Sequence, residues 1–191
     1  IVLQRTLVIA TKLEQIELIE WIKKEINGYF DNLKEEVPKY RYVPGRPRYN
    51  SIYGWEELPM RYESVEDELQ KNRMAIRQNV KELEEYIAHS KPYSPIKIKA
   101  PQVLTNQFNL PAEFNFEIYF EFNVNELKNV LIKIRNVILE WLIKLENILG
   151  EEYSFSETDI EKVKNITVNF YGTVEKSQIN LDSSNNKLIN E

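Results

Sequence analysis

The sequence predicts an α+β fold, mainly α: a helical bundle with a small antiparallel β element and a C-terminal β-strand or hairpin extension. Three observations carry this. Several long stretches repeat apolar residues at steps of three and four, the period of a helix face. Phe114, Phe116, Ile118, Phe120 and Phe122 alternate with polar or wettable residues at period two, the signature of a half-buried strand. Between Val37 and Trp55, three prolines (Pro38, Pro44, Pro47) and two glycines (Gly45, Gly54) interrupt any helix. The 191 residues, 42% of them apolar, suffice for one well-buried core and an extension. The expected division is a helical domain over 1–164 and a short β extension with a polar tail over 165–191.

Residues 5–29 read as a single helix with two apolar rows, Ile9, Leu13, Ile16 and Leu18, Ile22, Ile26, Tyr29, stopped near Gly28. An acidic connection, 30–37, follows. The stretch 37–55 is rich in tyrosine and arginine and holds no acidic residue, with short strands expected at 40–43 and 49–53. A second helix is predicted over 65–89 from the stripe Val65, Leu69, Ile76, Val80, Leu83, Ile87, with Ser64 as N-cap. Pro92 and Pro95 end it, and 96–98 and 114–122 are the next strands.

The longest helix, 125–149, carries Leu127, Leu131, Ile134, Ile138, Trp141, Leu145 and Ile148 at alternating steps of four and three. Val130, Ile132, Val137, Leu139, Leu142 and Ile143 widen that stripe until little polar surface remains, which predicts the centre of a bundle, with an oligomeric coiled coil as the alternative. Gly150 is the expected stop. A short helix near 157–164 precedes Ile166, Val168 and Phe170, which alternate with polar residues before Gly172, then Val174, Ile179 and Leu181. The polar run 182–187 predicts a tail without packing of its own.

A net charge of −5 and a pI near 5.2 exclude a surface that is basic throughout, though not a local basic patch. With no cysteine there is no disulfide framework, thiolate metal site or cysteine nucleophile. No apolar run approaches the ~20 residues of a membrane span, so a cytoplasmic protein without a membrane partner is expected.

Three segments carry a resemblance. They are Glu20-Trp21 with Glu25-Ile26-Asn27-Gly28-Tyr29, then Val37-Pro38-Lys39-Tyr40-Arg41, then Ile134-Arg135-Asn136-Val137 running to Trp141 and Leu145-Glu146. In this order they resemble the AbiTii domain, a module of prokaryotic abortive-infection and anti-phage systems. The resemblance implies a bacterial defence setting and carries over no catalytic motif.

The residues themselves offer little catalytic grammar. The only histidine, His89, falls near a helix C-terminus, where a cation is favoured, and without cysteine or a second histidine a zinc site is not expected. Glu117 and Glu121 would share the wet face of one strand, and with Lys97 or Lys99 they compose the alternative of a metal-dependent nuclease. Neither phosphate-binding glycine pattern is present, and no cofactor or metal is expected.

Tyr40, Arg41, Arg46, Arg48 and Tyr49 are the candidate ligand site, because guanidinium forks bind phosphates and tyrosines stack on bases. The competing reading, preferred here, packs the tyrosines on the helices and pairs the arginines with acidic faces. Ile166, Val168, Phe170, Val174 and Ile179 are candidate interaction residues, since a lone hairpin is marginal and must dock, self-pair or join another sheet. The expected function is a non-enzymatic sensor, adaptor or self-assembly module of anti-phage defence. Its expected partner is a second copy or another defence protein; nucleic acid or a nucleotide signal bound at 39–49 is the alternative.

Overall fold

The computed structural model describes residues 2–30, 37–58, 60, 62–92, 94–101, 108, 116–149, 163 and 166. Five helices and two small antiparallel sheets are described, and helix predominates. The α+β expectation therefore holds in its coarse form. All of these helices but one share a main core with the sheets, and Tyr29, Val37 and Ala75 form a second small cluster.

The single helix expected over 5–29 is two: α1 (Val2–Lys12) and α2 (Ile16–Asn27). Glu14 turns the chain between them with a positive φ of 53°, and the Gln15 N–H reaches back to the Ala10 carbonyl at 3.0 Å. The second apolar row is buried through Leu18, Ile22 and Tyr29, whereas of the first only Leu13 is. Helix α1 buries Leu3, Thr6 and Ala10, whereas α2 buries Leu18, Trp21, Ile22 and Glu25. Ile9 and Ile16, expected in the core, lie exposed at 39% and 70%.

A 3-10 turn (Lys39–Arg41) leads into β1 (Tyr42–Pro44), which pairs antiparallel with β4 (Arg73–Ala75) through Val43 opposite Met74. Strands β2 (Arg46–Ser51) and β3 (Gly54–Glu57) form a hairpin, and β5 (Ile96–Lys99) and β6 (Ile118–Phe122) complete a four-stranded sheet of order β3-β2-β6-β5. Its inner face inserts Ile96, Ile98, Ile118, Phe120 and Phe122 into the core. The period-two reading of the phenylalanine run is met over 118–122.

The helix expected over 65–89 is interrupted by β4. Helix α3 (Val65–Lys71) buries nothing, although Ser64 caps it by accepting from the Asp67 N–H at 3.1 Å. Helix α4 (Val80–Ala88) starts afresh at Asn79, which forms a reciprocal capping box with Glu82. The interruption has a physical cause: β1 would otherwise leave its backbone unpaired, and β4 satisfies it while burying Met74.

Helix α5 (Val124–Leu149) packs against α4, β1 and the 3-10 turn, burying Leu127, Val130, Ile134, Ile138, Trp141 and Leu145. Each such side chain contributes about 1.5–3 kcal/mol of burial. The alternating row is thus the core face, as its spacing predicted. Of the residues expected to widen it into an all-round apolar helix, Val130 is buried and Val137 partly so, whereas Ile132, Leu139, Leu142 and Ile143 face solvent. The Gly150 stop, the helix at 157–164 and the strands of 168–181 lie outside the described residues, except that Val163 is helical and buried.

Gly28 ends α2 at φ +89°, ψ 177°, a conformation that only glycine adopts readily, and a Cβ there would stand 3.0 Å from the Arg77 carbonyl oxygen. Gly28→Ala is expected to lower unfolding free energy by about 1–3 kcal/mol in urea titrations. An unchanged midpoint would show that the α2 stop does not require this conformation.

Candidate functional site

The Tyr/Arg stretch and the end of α2 meet inside the protein. Trp21, Glu25 and Tyr29 recur at four-residue steps and so share one side of α2 as it ends. Glu25 is fully buried, and Arg41 from the 3-10 turn, also fully buried, pairs with it through Nη2 and Oε2. Glu25 Oε1 accepts three further bonds, from Tyr29 Oη at 2.7 Å, Tyr40 Oη at 2.7 Å and Arg41 Nε at 3.2 Å. Arg41 Nη1 donates to the carbonyls of Ile76 at 2.8 Å and Gln78 at 2.9 Å. Trp21 Nε1 donates to Tyr40 Oη at 2.9 Å, and the Arg41 guanidinium lies 4.7 Å from the Tyr29 ring centre.

The electrostatics follow from burial. Burial and then the Glu25 charge push the phenols of Tyr29 and Tyr40 far above their ordinary value, so both remain neutral donors. For Arg41, burial is the largest influence and alone would favour the neutral form, but the Glu25 charge, its hydrogen bond and the neighbouring phenols of Tyr29 and Tyr40 together hold the guanidinium above its ordinary value. This cluster is a satisfied buried network, with Arg41 enclosed and turned from solvent.

Arg46 and Arg48 point from the outer face of the four-stranded sheet. Arg48 is already engaged: Nη1 donates to Glu57 at 3.2 Å, Nη2 donates to the Trp55 carbonyl at 3.0 Å, and Nε lies 3.8 Å from Glu121. Tyr49 faces the other way, its ring 5.2 Å from Phe116 and its hydroxyl donating to Glu56 at 3.0 Å. Arg46 borders a cavity of about 780 Å³ between Pro44, Asn72, Pro95, Glu121 and Asn123. On the same outer face Lys97 sits 4.5 Å from the Trp55 ring centre, and Trp55 meets Tyr119 edge-on at 5.1 Å. The five candidate ligand residues therefore occupy three environments and do not converge.

Glu117 and Glu121 share the outer face of the β6 segment, as expected, yet four residue steps along the strand separate them by about 13 Å. Two ions of a hydrolytic site stand about 3.5–4 Å apart. Glu117 binds Lys99 and accepts from Tyr119 Oη at 2.9 Å, and these bonds, Lys99 first, hold its carboxyl below the usual range. Among the described residues no three His, Asp or Glu side chains are grouped to hold a metal. His89 caps α4, its Nδ1 2.8 Å from the Glu85 carbonyl oxygen.

Of the C-terminal candidates only Ile166 is described; it packs partly buried against the core, and Val168, Phe170, Val174 and Ile179 lie outside the described residues. Sequence reasoning missed Glu25, Trp21 and Tyr29 as a unit. The available signal was an acidic residue set within an apolar helix face, between Ile22 and Tyr29. It also missed the open face of α5, where Ile132 and Leu139 are 47% and 53% exposed.

The AbiTii family model matches residues 2–169. The chain belongs to the AbiTii family. That match takes in every described element, so the buried Glu25–Arg41 network, the sheet's outer face and the α5 row all lie within the matched region. Membership brings the abortive-infection, anti-phage setting with it. No curated protein and no solved structure matches the chain. Among the described residues no helix is long and apolar enough to cross a membrane.

The raised phenols of Tyr29 and Tyr40 predict an alkaline instability. Above their ordinary value near 10.0, the unfolded chain releases two protons that the folded chain retains. Stability attributable to these groups is therefore full below pH 10 and falls by up to about 2.7 kcal/mol per pH unit above it. Urea midpoints between pH 9 and 11 should fall steeply for the native chain and less steeply for Tyr29→Phe/Tyr40→Phe. Equal slopes would contradict the assignment.

Proposed function

We propose that this AbiTii domain is a non-enzymatic adaptor or self-assembly module of an anti-phage defence system. The observation that supports this reading is the open face of α5: Ile132, Leu139, Leu142 and Ile143 stand exposed along one side of a long helix whose opposite side is fully used by the core. Apolar rows left in solvent beside an intact core mark interaction surfaces. The carboxylates that would serve a nuclease are spaced too far apart along β6 to share a metal centre and are engaged with Lys99 and Arg48.

A second reading, a nucleotide-signal binder, draws on Arg46 beside its cavity and on the Lys97, Trp55 and Tyr119 cluster. Its signature would be nucleotide binding that weakens with salt and with Arg46→Ala.

The test is phage challenge of cells carrying the intact defence locus. Leu139→Lys/Ile143→Lys is expected to abolish protection while the purified chain keeps its helical circular dichroism. Glu117→Gln/Glu121→Gln is expected to leave protection within about twofold of the native level. Protection lost through the carboxylate variant and kept through the helix variant would replace the adaptor with an effector enzyme.

A further inference from the structure

Helix α5 carries a second heptad seam, one residue out of phase with its core row. The core row runs through Leu127, Ile134, Ile138, Trp141 and Leu145. On the outer side Ile132, Arg135, Leu139, Leu142, Glu146 and Leu149 follow at steps of three and four without a break. All of these are exposed except Leu149, which is half-buried. Ile132, Leu139 and Leu142 supply the apolar positions of this seam.

The order of residues along the seam specifies its occupant. Pairing the helix with an antiparallel copy, with the two-fold axis between residues 140 and 141, places Ile132 against Leu149, Arg135 against Glu146 and Leu139 against Leu142. The two halves of the interface are then identical, as a two-fold dimer requires. A parallel copy in register would instead oppose Arg135 to Arg135 and Glu146 to Glu146. Within one chain, Arg135 and Glu146 are about 16 Å apart along the helix axis and cannot satisfy each other. Neither has an ion-pair partner among the described residues.

We propose that the outer seam of α5 is a dimer interface, occupied by the same seam of a second copy running antiparallel, with reciprocal Arg135–Glu146 pairs bracketing a Leu139–Leu142 centre. This deepens the self-assembly reading and rests on it for its biological meaning. Six layers of contact, three kinds each made twice, along about 25 Å of helix make a small interface, so weak association is expected.

Sedimentation velocity of the full chain, from about 1 μM to 500 μM at low salt, tests the interface. The native chain is expected to pass from monomer to dimer. Arg135→Glu and Glu146→Arg each oppose like charges twice per dimer and should weaken association at least about tenfold. The double exchange Arg135→Glu/Glu146→Arg should restore it to within about threefold, an outcome only antiparallel cross-pairing produces. Both positions are on the surface, and circular dichroism verifies that each variant folds. A native chain that stays monomeric overturns the proposal. A dimer indifferent to the charge exchange overturns this interface and leaves the self-assembly reading intact.

Discussion

A carboxylate without access to water must have its charge met, and that requirement at Glu25 organises the structure around it. Removing such a group from solvent costs several kcal/mol even after relaxation, and the cost is offset only where geometry is close and the remaining lone pairs are bonded. Glu25 meets the condition by drawing four donors from three side chains, Tyr29, Tyr40 and Arg41. Arg41 in turn ties down the backbone at Ile76 and Gln78, between β4 and α4. One ion pair thus joins the end of the first helical hairpin, the entry to β1 and the chain leading to the α4 capping box. Gly28 allows the chain to leave α2 at the angle that brings the Tyr29 N–H to the Arg77 carbonyl at 2.8 Å.

Much of this fold was legible in the residues, and the losses have identifiable causes. The core row of α5, the alternation of β6 and the N-cap at Ser64 follow from local spacing. The break at Glu14 did not, because neither glycine nor proline marks it; only the phase difference between two apolar rows did. Strand β4 was hidden within a helical stripe, since Ile76 and Leu83 are buried as a helix face would require while Met74 answers to a strand partner distant in sequence. Asn79 and Glu82 held the capping-box spacing that locates the true start of α4.

The candidate site was legible only in part, for a related reason. Spacing shows that tyrosines and arginines are concentrated over 40–49, but which of them faces inward depends on partners elsewhere in the chain. Arg41 is claimed by Glu25 and Arg48 by Glu57 and Glu121, which leaves Arg46 beside the cavity. The preferred reading of packed tyrosines and paired arginines thus describes Tyr40 and Arg41 well. The apolar surplus on α5 was visible in composition, whereas its exposure depended on how much of the helix the neighbouring elements could cover.

The most direct test of the organising role of Glu25 and Arg41 is a double-mutant cycle by urea denaturation at pH 7, using Glu25→Leu, Arg41→Met and the pair together. Each single substitution strands a buried group and is expected to cost about 3–5 kcal/mol, with the double variant costing far less than the sum. Single losses below about 1 kcal/mol, or losses that simply add, would contradict the view that this ion pair holds the domain together.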